Sequence, residues 1–444
     1  MLSLLNTWVF KRQALEASLG LLLLLYAIWL AQFPVFYPSD DALFFVRGVT
    51  AFSLLELSPH FPGYPGFIML ARGLQVFVGD ALMSVYYLSL SFSVLLPWLV
   101  FRLLRPKSLV AAVLGALLIV SSGLVAGLGS AVLSDGVGLA LFLMHCLALQ
   151  KQHAKSAGAM AALVLSVRPA YLILVVLTWV YVGCCQRDLF KAYTAVLAVG
   201  GLLALGLLFA LEGPTLWPEA LRFTVGHFTV WGHTALGSGD VNTWWSTYWA
   251  WLGPFAGGSM LLLLVAVGVT WRWQDWQALP VWLLLGYVLW IGLAQNADNV
   301  RHLFPVLIFA CLVVLPSLAR WPASVRVSSA CLILGVCVAL LLRNHTFIQQ
   351  PSPLGQVSAF LAQQPPVRLV THHGVAVLRH THPDIGVVDA HYQQSSQFWL
   401  RTSGTLKLTS QPVQQGLIQA FPQRWPGEKT LYLHSPCVFC SQLY

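Results

Sequence analysis

A chain of 444 residues that is 58% hydrophobic and only 9% charged, with a mean hydropathy of +0.74, is not an ordinary soluble enzyme, in which about a quarter of residues carry charge. It reads instead as an α-helical polytopic membrane protein. The formal net charge of +9 does not point to nucleic acid, because the Lys and Arg residues are spread over short loops between apolar runs.

Apolar runs of about 20 residues predict spans near 14–36, 81–101, 108–128, 131–149, 191–211, 248–271, 278–295, 303–319 and 327–343. Lys11 and Arg12 ahead of the first run resemble the start of a signal peptide. No small-x-small cleavage site follows and many more spans do, so the first helix is read as retained. Between 156 and 184 a further apolar run is interrupted by Arg168-Pro169 and fits two short helices forming a hairpin, for about eleven spans in all. Charge supports this map. With a cytoplasmic N-terminus, Arg102, Arg105, Lys107, Lys151, Lys155, Arg187, Lys191, Arg272, Arg320 and Arg326 all fall in inside loops, as the positive-inside bias requires. A single span over 156–184 would invert everything after it.

The same map places four stretches outside. The first, 37–80, is the most polar and proline-rich piece of the N-terminal half. It holds Asp40, Asp41, Arg47, Glu56 and the string His60-Phe61-Pro62-Gly63-Tyr64-Pro65-Gly66. Ser39-Asp40-Asp41 ahead of an apolar run reads as a helix N-cap; a cap role for one carboxylate leaves the other free as a base. Two prolines and two glycines in seven residues shape a nonhelical backbone. It is either a simple turn into an interfacial helix near 67–77 or a frame that presents His60 and Tyr64 to a ligand. The second stretch, 212–247, carries Trp217, Trp231, Trp244, Trp245, His227 and His233, as an interfacial aromatic belt does or a lid over a lipid groove would. The third, 296–302, sets Arg301 and His302 at the edge of a span, where a guanidinium either binds a phosphate or snorkels to headgroups. The fourth is the tail.

Arg168, at the break of the predicted hairpin, is a charge at the margin of the apolar layer and therefore a functional candidate; a structural partner such as Asp135 is the alternative. From about Asn344 the composition turns to Gln, His, Pro and Ser. A helix near 353–364 and strands near 367–371, 386–389 and 430–434 predict a small α/β domain over 344–444, outside a transmembrane domain of 1–343. Cys437 and Cys440 form a lone C-x-x-C, suited to a local disulfide in an oxidising compartment rather than to zinc. The tail histidines 372, 373, 380, 382, 391 and 434 are read as scattered surface residues. No cofactor motif is present; a divalent metal is left open without being indicated.

These residues resemble the membrane-embedded glycosyltransferases of the GT-C class, in the superfamily of protein O-mannosyltransferases and lipid A aminoarabinose transferases. The resemblance lies in the first span followed by Asp40-Asp41-Ala42, in His60-Phe61-Pro62-Gly63-Tyr64-Pro65, and in Arg301-His302-Leu303-Phe304-Pro305. It extends to the layout of about eleven spans and a small external domain. Phe61 stands where one branch of the class has proline, which leaves subfamily and acceptor open; many members pair the catalytic Asp with a nearby Glu, and here the neighbour is Asp. The resemblance implies a polyprenyl-phosphate-linked sugar donor, an active site on the external or periplasmic face of a bacterial inner membrane, and a glycan, glycolipid or protein acceptor. Such a transfer needs a carboxylate to take the acceptor proton, Asp40 or Asp41. It also needs positive charge against the departing phosphate, Arg301 with His302. His60, Tyr64 and Arg168 are expected to bind substrate. The rival class is a transporter or flippase of a lipid-linked or anionic substrate, whose charges would sit near mid-bilayer in both halves of the chain.

Overall fold

The computed structural model describes residues 2–231, 234–235, 243–270, 277–344, 350–412 and 416–435. Over these the chain is mostly helical, with a small C-terminal sheet. Helix α1 (Leu2–Leu30) is followed by two short helices, α2 (Asp40–Thr50) and α3 (Pro65–Val78), and by the long α4 (Ala81–Leu104). Then come α5 (Leu109–Ser121), α6 (Leu124–Gly129), α7 (Asp135–Gln150), α8 (Ala154–Val167), α9 (Leu172–Cys185), α10 (Arg187–Glu212) and α11 (Leu216–Gly226). The helical part closes with α12 (Trp244–Val269), α13 (Leu279–Ala294), α14 (Leu303–Ser317) and α15 (Ala323–Asn344).

Five helical stretches among the described residues are long and apolar enough to cross a membrane: 81–104, 187–229, 244–269, 300–320 and 323–344. The other apolar stretches, including 14–30 of α1, run 10–17 residues, about 15–26 Å at 1.5 Å per residue. The expected run at 108–128 is broken at Gly123, whose φ of 75° ends α5. The expected hairpin is present. The α8 helix ends at Arg168, where the following proline disfavours helical geometry, and a 3₁₀ turn at Pro169–Tyr171 leads into α9. The 212–247 stretch departs from a plain loop, since α10 runs on almost directly into α11. Position 233 and most of 232–242 lie outside the described residues, as do Cys437 and Cys440.

The α4 helix forms the centre, packing on α3, α5, α6 and α7. Its small polar residues let helices approach and are satisfied locally, as in Ser89 Oγ donating to the Leu133 carbonyl (2.8 Å). Contacts sort the helix ends into two groups. At one end the basic loops gather, with Arg105 paired to Glu16 of α1. At the other end Tyr86 donates to the Leu30 carbonyl (2.9 Å) and Trp251 to the Ser122 carbonyl (2.9 Å). There too Leu54 N–H reaches Glu212 (2.9 Å).

The C-terminal α/β unit covers this second end. It comprises α16 (Pro353–Leu361), β1 (Arg368–Thr371), α17 (Val375–Thr381), β2 (Gly386–Asp389) and α18 (Gln393–Leu400), then β3 (Thr405–Thr409), β4 (Leu417–Phe421) and β5 (Leu431–His434). The sheet order is β2-β1-β3-β5-β4, with β2, β1 and β3 parallel and the last two pairings antiparallel. Strands β3 and β4 were not expected from the sequence. Leu43 of α2 belongs to the core of this unit, together with Leu354, Val377 and Leu433. Trp425 packs over Gly127 of α6, where a Cβ would come within 2.7 Å of the indole.

Candidate active site

Four separate segments meet where the α/β unit rests on the helices. The first is the start of α2. Ser39, not Asp40, is its N-cap, accepting from Ala42 N–H (3.3 Å). Both aspartates then occupy the first helical turn, where the helix dipole favours negative charge. Consecutive helical residues point about 100° apart, so the two carboxylates face different neighbours. Asp40 Oδ1 accepts from Val377 N–H at the start of α17 (2.9 Å). Asp41 faces the second, third and fourth segments.

The second segment is the His60–Gly66 string. Ser53 and Ser58 close a small antiparallel bridge, and Gly63 (φ 89°) and Tyr64 (φ 49°) adopt left-handed backbone before Pro65 opens α3. Gly63 has no room for a side chain, as a Cβ there would lie 2.7 Å from Leu208. The result folds His60 and Tyr64 toward each other, His60 Nε2 to Tyr64 hydroxyl 3.1 Å. The imidazole is buried, edge-on to Phe45 and nearly parallel to Phe223 of α11 at 5.5 Å. Its Nδ1 lies 3.9 Å from Asp41 Oδ1.

Arg168, at the end of α8, is the third. It pairs with Asp135 (2.7 Å) and donates to Ser134 Oγ (3.3 Å). Both groups are buried, which makes the pair obligatory: removing either partner would strand the other charge. Its stem fits because residue 138 is glycine, where a Cβ would sit 2.5 Å from Arg168 Cβ. The guanidinium lies 6.0 Å from the Tyr64 ring centre. The fourth segment is the 3₁₀ turn Val300–His302 before α14. Arg301 Nη2 lies 3.3 Å from Asp41 Oδ2.

The Asp41–Arg301 pair is partly open, with 37% and 24% of the side-chain surfaces exposed. Buried nitrogens also meet there without a hydrogen-bond partner in the protein, namely His60 Nδ1, Arg168 Nε and Arg301 Nε. Buried polar groups are nearly always satisfied, so the two guanidinium N–H groups, with the imidazole nitrogen beside them, are suited to an anionic ligand.

Electrostatics separate the two aspartates. Burial pushes Asp40 up to about 6, with the Asp41 charge adding to the rise and the α17 amides opposing it. Burial acts on Asp41 in the same sense, but His60, Arg301 and Arg168 outweigh it and hold its carboxyl below the ordinary range. Burial lowers His60, so the imidazole is neutral near pH 7. It pushes Tyr64 up to about 12.

The structure thus brings Asp41, His60, Tyr64, Arg168 and Arg301 together. It turns Asp40 toward the α/β unit and places Arg168 on Asp135. His302 is buried edge-on to Trp244 (6.3 Å) and adjoins the cluster through Arg301. Glu56 is exposed, and its backbone N–H meets Ser53 Oγ (3.4 Å). Sequence reasoning missed Phe223, which covers His60, and the partner of Asp40, which lies 337 residues away. It also missed the bridge from Lys429 to Asp298 (2.8 Å) beside Arg301. Among the described residues no group of three or more His, Cys, Asp or Glu is placed to hold a metal ion.

The arrangement is that of a helical membrane protein with a polar, partly open cluster at one end of its bundle, roofed by an α/β unit. No protein-family model and no curated protein matches the sequence. Among solved structures that resemble the fold are two of one protein. ArnT from Cupriavidus metallidurans in the apo state shares 10% identity over 96% of this chain and 98% of its own, with a TM-score of 0.46. The same protein bound to undecaprenyl phosphate shares 12% identity over 93% and 97%, with a TM-score of 0.50. The second likeness, running nearly end to end in both chains, bears out a mostly helical fold with a small C-terminal sheet, as the GT-C resemblance implies.

Proposed function

We propose that this protein is an inverting glycosyltransferase, moving a sugar from a polyprenyl-phosphate donor to an acceptor hydroxyl on the external face of a bacterial inner membrane. The observation that carries this reading is the partly open Asp41–Arg301 pair among buried, unpartnered nitrogens. The fold neighbour that binds undecaprenyl phosphate supports the choice of lipid carrier. In this reading residues 1–343 form an eleven-span catalytic domain, with the shorter apolar helices crossing where the bilayer is locally thinned. Residues 344–444 form an external domain. The basic helix ends face the cytoplasm.

In the proposed reaction Asp41 takes the proton of the acceptor hydroxyl. The acceptor oxygen attacks the anomeric carbon as the bond from that carbon to the phosphate oxygen breaks, and the phosphate leaves with the electron pair. A phosphate needs no general acid, but its charge needs a counterpart. Arg301 supplies it by exchanging Asp41 for the phosphate. His60 and Tyr64 form a neutral, fixed wall beside the sugar, and Arg168, anchored by Asp135, holds Tyr64 from below. One displacement inverts the anomeric centre. The transport alternative calls for charges at mid-bilayer in both halves of the chain, whereas these gather at one end.

Asn is nearly isosteric with Asp but cannot take the proton. Asp41→Asn should therefore lose about 10²–10⁴-fold in transfer rate while still binding undecaprenyl phosphate. Asp40→Asn, which keeps an acceptor for Val377 N–H, should lose much less. Transfer by the Asp41→Asn protein at near the wild-type rate would remove Asp41 as the base.

A further inference from the structure

Beside Arg301 a cleft of about 360 Å³ opens between the helical part and the α/β unit, within the range of small-ligand sites of roughly 300–1,000 Å³. One wall is the start of α12 and the turn that leads to Arg301, with Thr247, Trp251, Asp298 and Val300. The other wall comes from the α/β unit and includes Gln411, Gln423, Thr430 and Tyr432. Thr247 Oγ1 donates to the Ala297 carbonyl (2.6 Å), which fixes the first wall to the Arg301 turn.

The lining has a consistent chemistry. Its charges are matched within the protein: Lys429 bridges the two walls to Asp298 (2.8 Å), and Glu428 is held in a bidentate pair by Arg424 (2.7 and 3.0 Å). What is offered to a ligand is carboxamides and hydroxyls, each able to donate and to accept, with the Tyr432 ring on one side. The carboxamides of Gln411 and Gln423 belong to exposed residues. Groups that both donate and accept, set beside an aromatic face, match a sugar ring, whose hydroxyls do the same and whose C–H face is apolar.

We propose that this cleft is the acceptor subsite and that the acceptor is a neutral saccharide. The inference rests on the glycosyltransferase reading and adds to it the acceptor class and its place. The acceptor would reach the Asp41–Arg301 pair along the Val300–Arg301 turn, from the aqueous side, while the donor stays anchored in the lipid.

The test uses the full chain in lipid nanodiscs. Saturation-transfer NMR would be run with free maltotriose, mannotriose and chitotriose, with the same trisaccharides on a dialkylglycerol anchor in the disc, and with a serine-containing pentapeptide. Binding of undecaprenyl phosphate alone would be measured in parallel. The expected result is a saturable signal from at least one trisaccharide, weakened about tenfold or more in the Gln411→Ala/Gln423→Ala double variant and in Gln423→Trp, which fills the cleft. Undecaprenyl phosphate binding should be unchanged in both variants, which also reports their folding. Tighter binding of the anchored form would identify a glycolipid acceptor, and equal binding a free glycan. No trisaccharide signal at millimolar concentration, a signal from the peptide only, or an undiminished signal in both variants would overturn the inference. Failure of the wild-type protein to bind undecaprenyl phosphate would instead overturn the glycosyltransferase reading.

Discussion

One helical step separates Asp40 from Asp41, and it gives the two carboxylates opposite electrostatics. Asp41, below the ordinary carboxylate range, is ionised near neutral pH, so the acid limb of the proposed transfer should lie below the pH at which an ordinary carboxylate titrates. Arg301→Ala removes a neighbouring cation, which raises the Asp41 pKa and moves that limb to higher pH. The same change removes a charge-assisted contact worth about 1.5–3 kcal/mol, so undecaprenyl phosphate should bind about tenfold or more weakly. Arg326→Ala, on an exposed residue of α15 at the other end of the bundle, should do neither; equal effects in pH profile and lipid binding would take Arg301 out of the site. Asp40 behaves in the reverse sense. Its folded pKa of about 6 lies above the ordinary value, so the folded state holds the proton more tightly than the unfolded chain. Its contribution to stability is therefore full at low pH and is lost as pH rises through about 4 to 6. Asn resembles the neutral acid, so the Tm difference between Asp40→Asn and wild type should move in favour of the variant between about pH 4.5 and 6.5. A pH-independent difference would contradict the placement of Asp40 against α17.

At the scale of elements, the site depends on how closely α7 and α8 approach. Gly138 is the point of contact, and Gly138→Ala would drive a methyl group into Arg168. Overpacking of this kind costs about 1–3 kcal/mol and would displace Arg168 from Asp135. Gly201→Ala on α10, with open space around it, should be neutral or stabilise slightly, because alanine is the better helix former. Thermal unfolding in detergent and lipid binding would separate the two; a harmless Gly138→Ala would show that the approach is looser than described. The hairpin around Arg168-Pro169 was legible in the sequence because proline and a buried charge interrupt an apolar run. Arg168's partner Asp135 was legible too, as a carboxylate in the preceding span. The α11 helix was not, since its aromatic, membrane-surface composition reads equally as a loop. Strand β4 was missed for a related reason: a short strand at the edge of a sheet buries too little to leave a clear alternation, as the largely exposed Leu417–Gln419 run shows. Strand β3 lies at the centre of the sheet, but its five residues Thr405–Thr409 are too few to mark a strand by pattern alone.

Across the whole molecule, what the sequence could not convey is long-range pairing. Asp41 meets Arg301 from 260 residues away and Asp40 meets Val377 from 337 away, and nothing local marks either partner. The α/β unit is tied to both halves of the site: to the Asp41 helix through Asp40 and Leu43, and to the Arg301 turn through the Lys429–Asp298 bridge. A chain ending after Asn344 keeps every apolar helix but loses both ties, and should insert into membranes yet fail at transfer by at least tenfold. Full activity of that truncated chain would show that the ties do not organise the site. This arrangement also has a consequence for biosynthesis. Translation runs from the N-terminal to the C-terminal end, so the Asp41 helix and the Arg301 turn are made before Val377 and Lys429 exist. Through that interval the Asp41 helix and the Arg301 turn are held only by the bundle, and a chain still being made carries an unfinished site. The cluster is roofed only when the α/β unit, made after the helices of the bundle, packs over the Asp41 helix and the Arg301 turn.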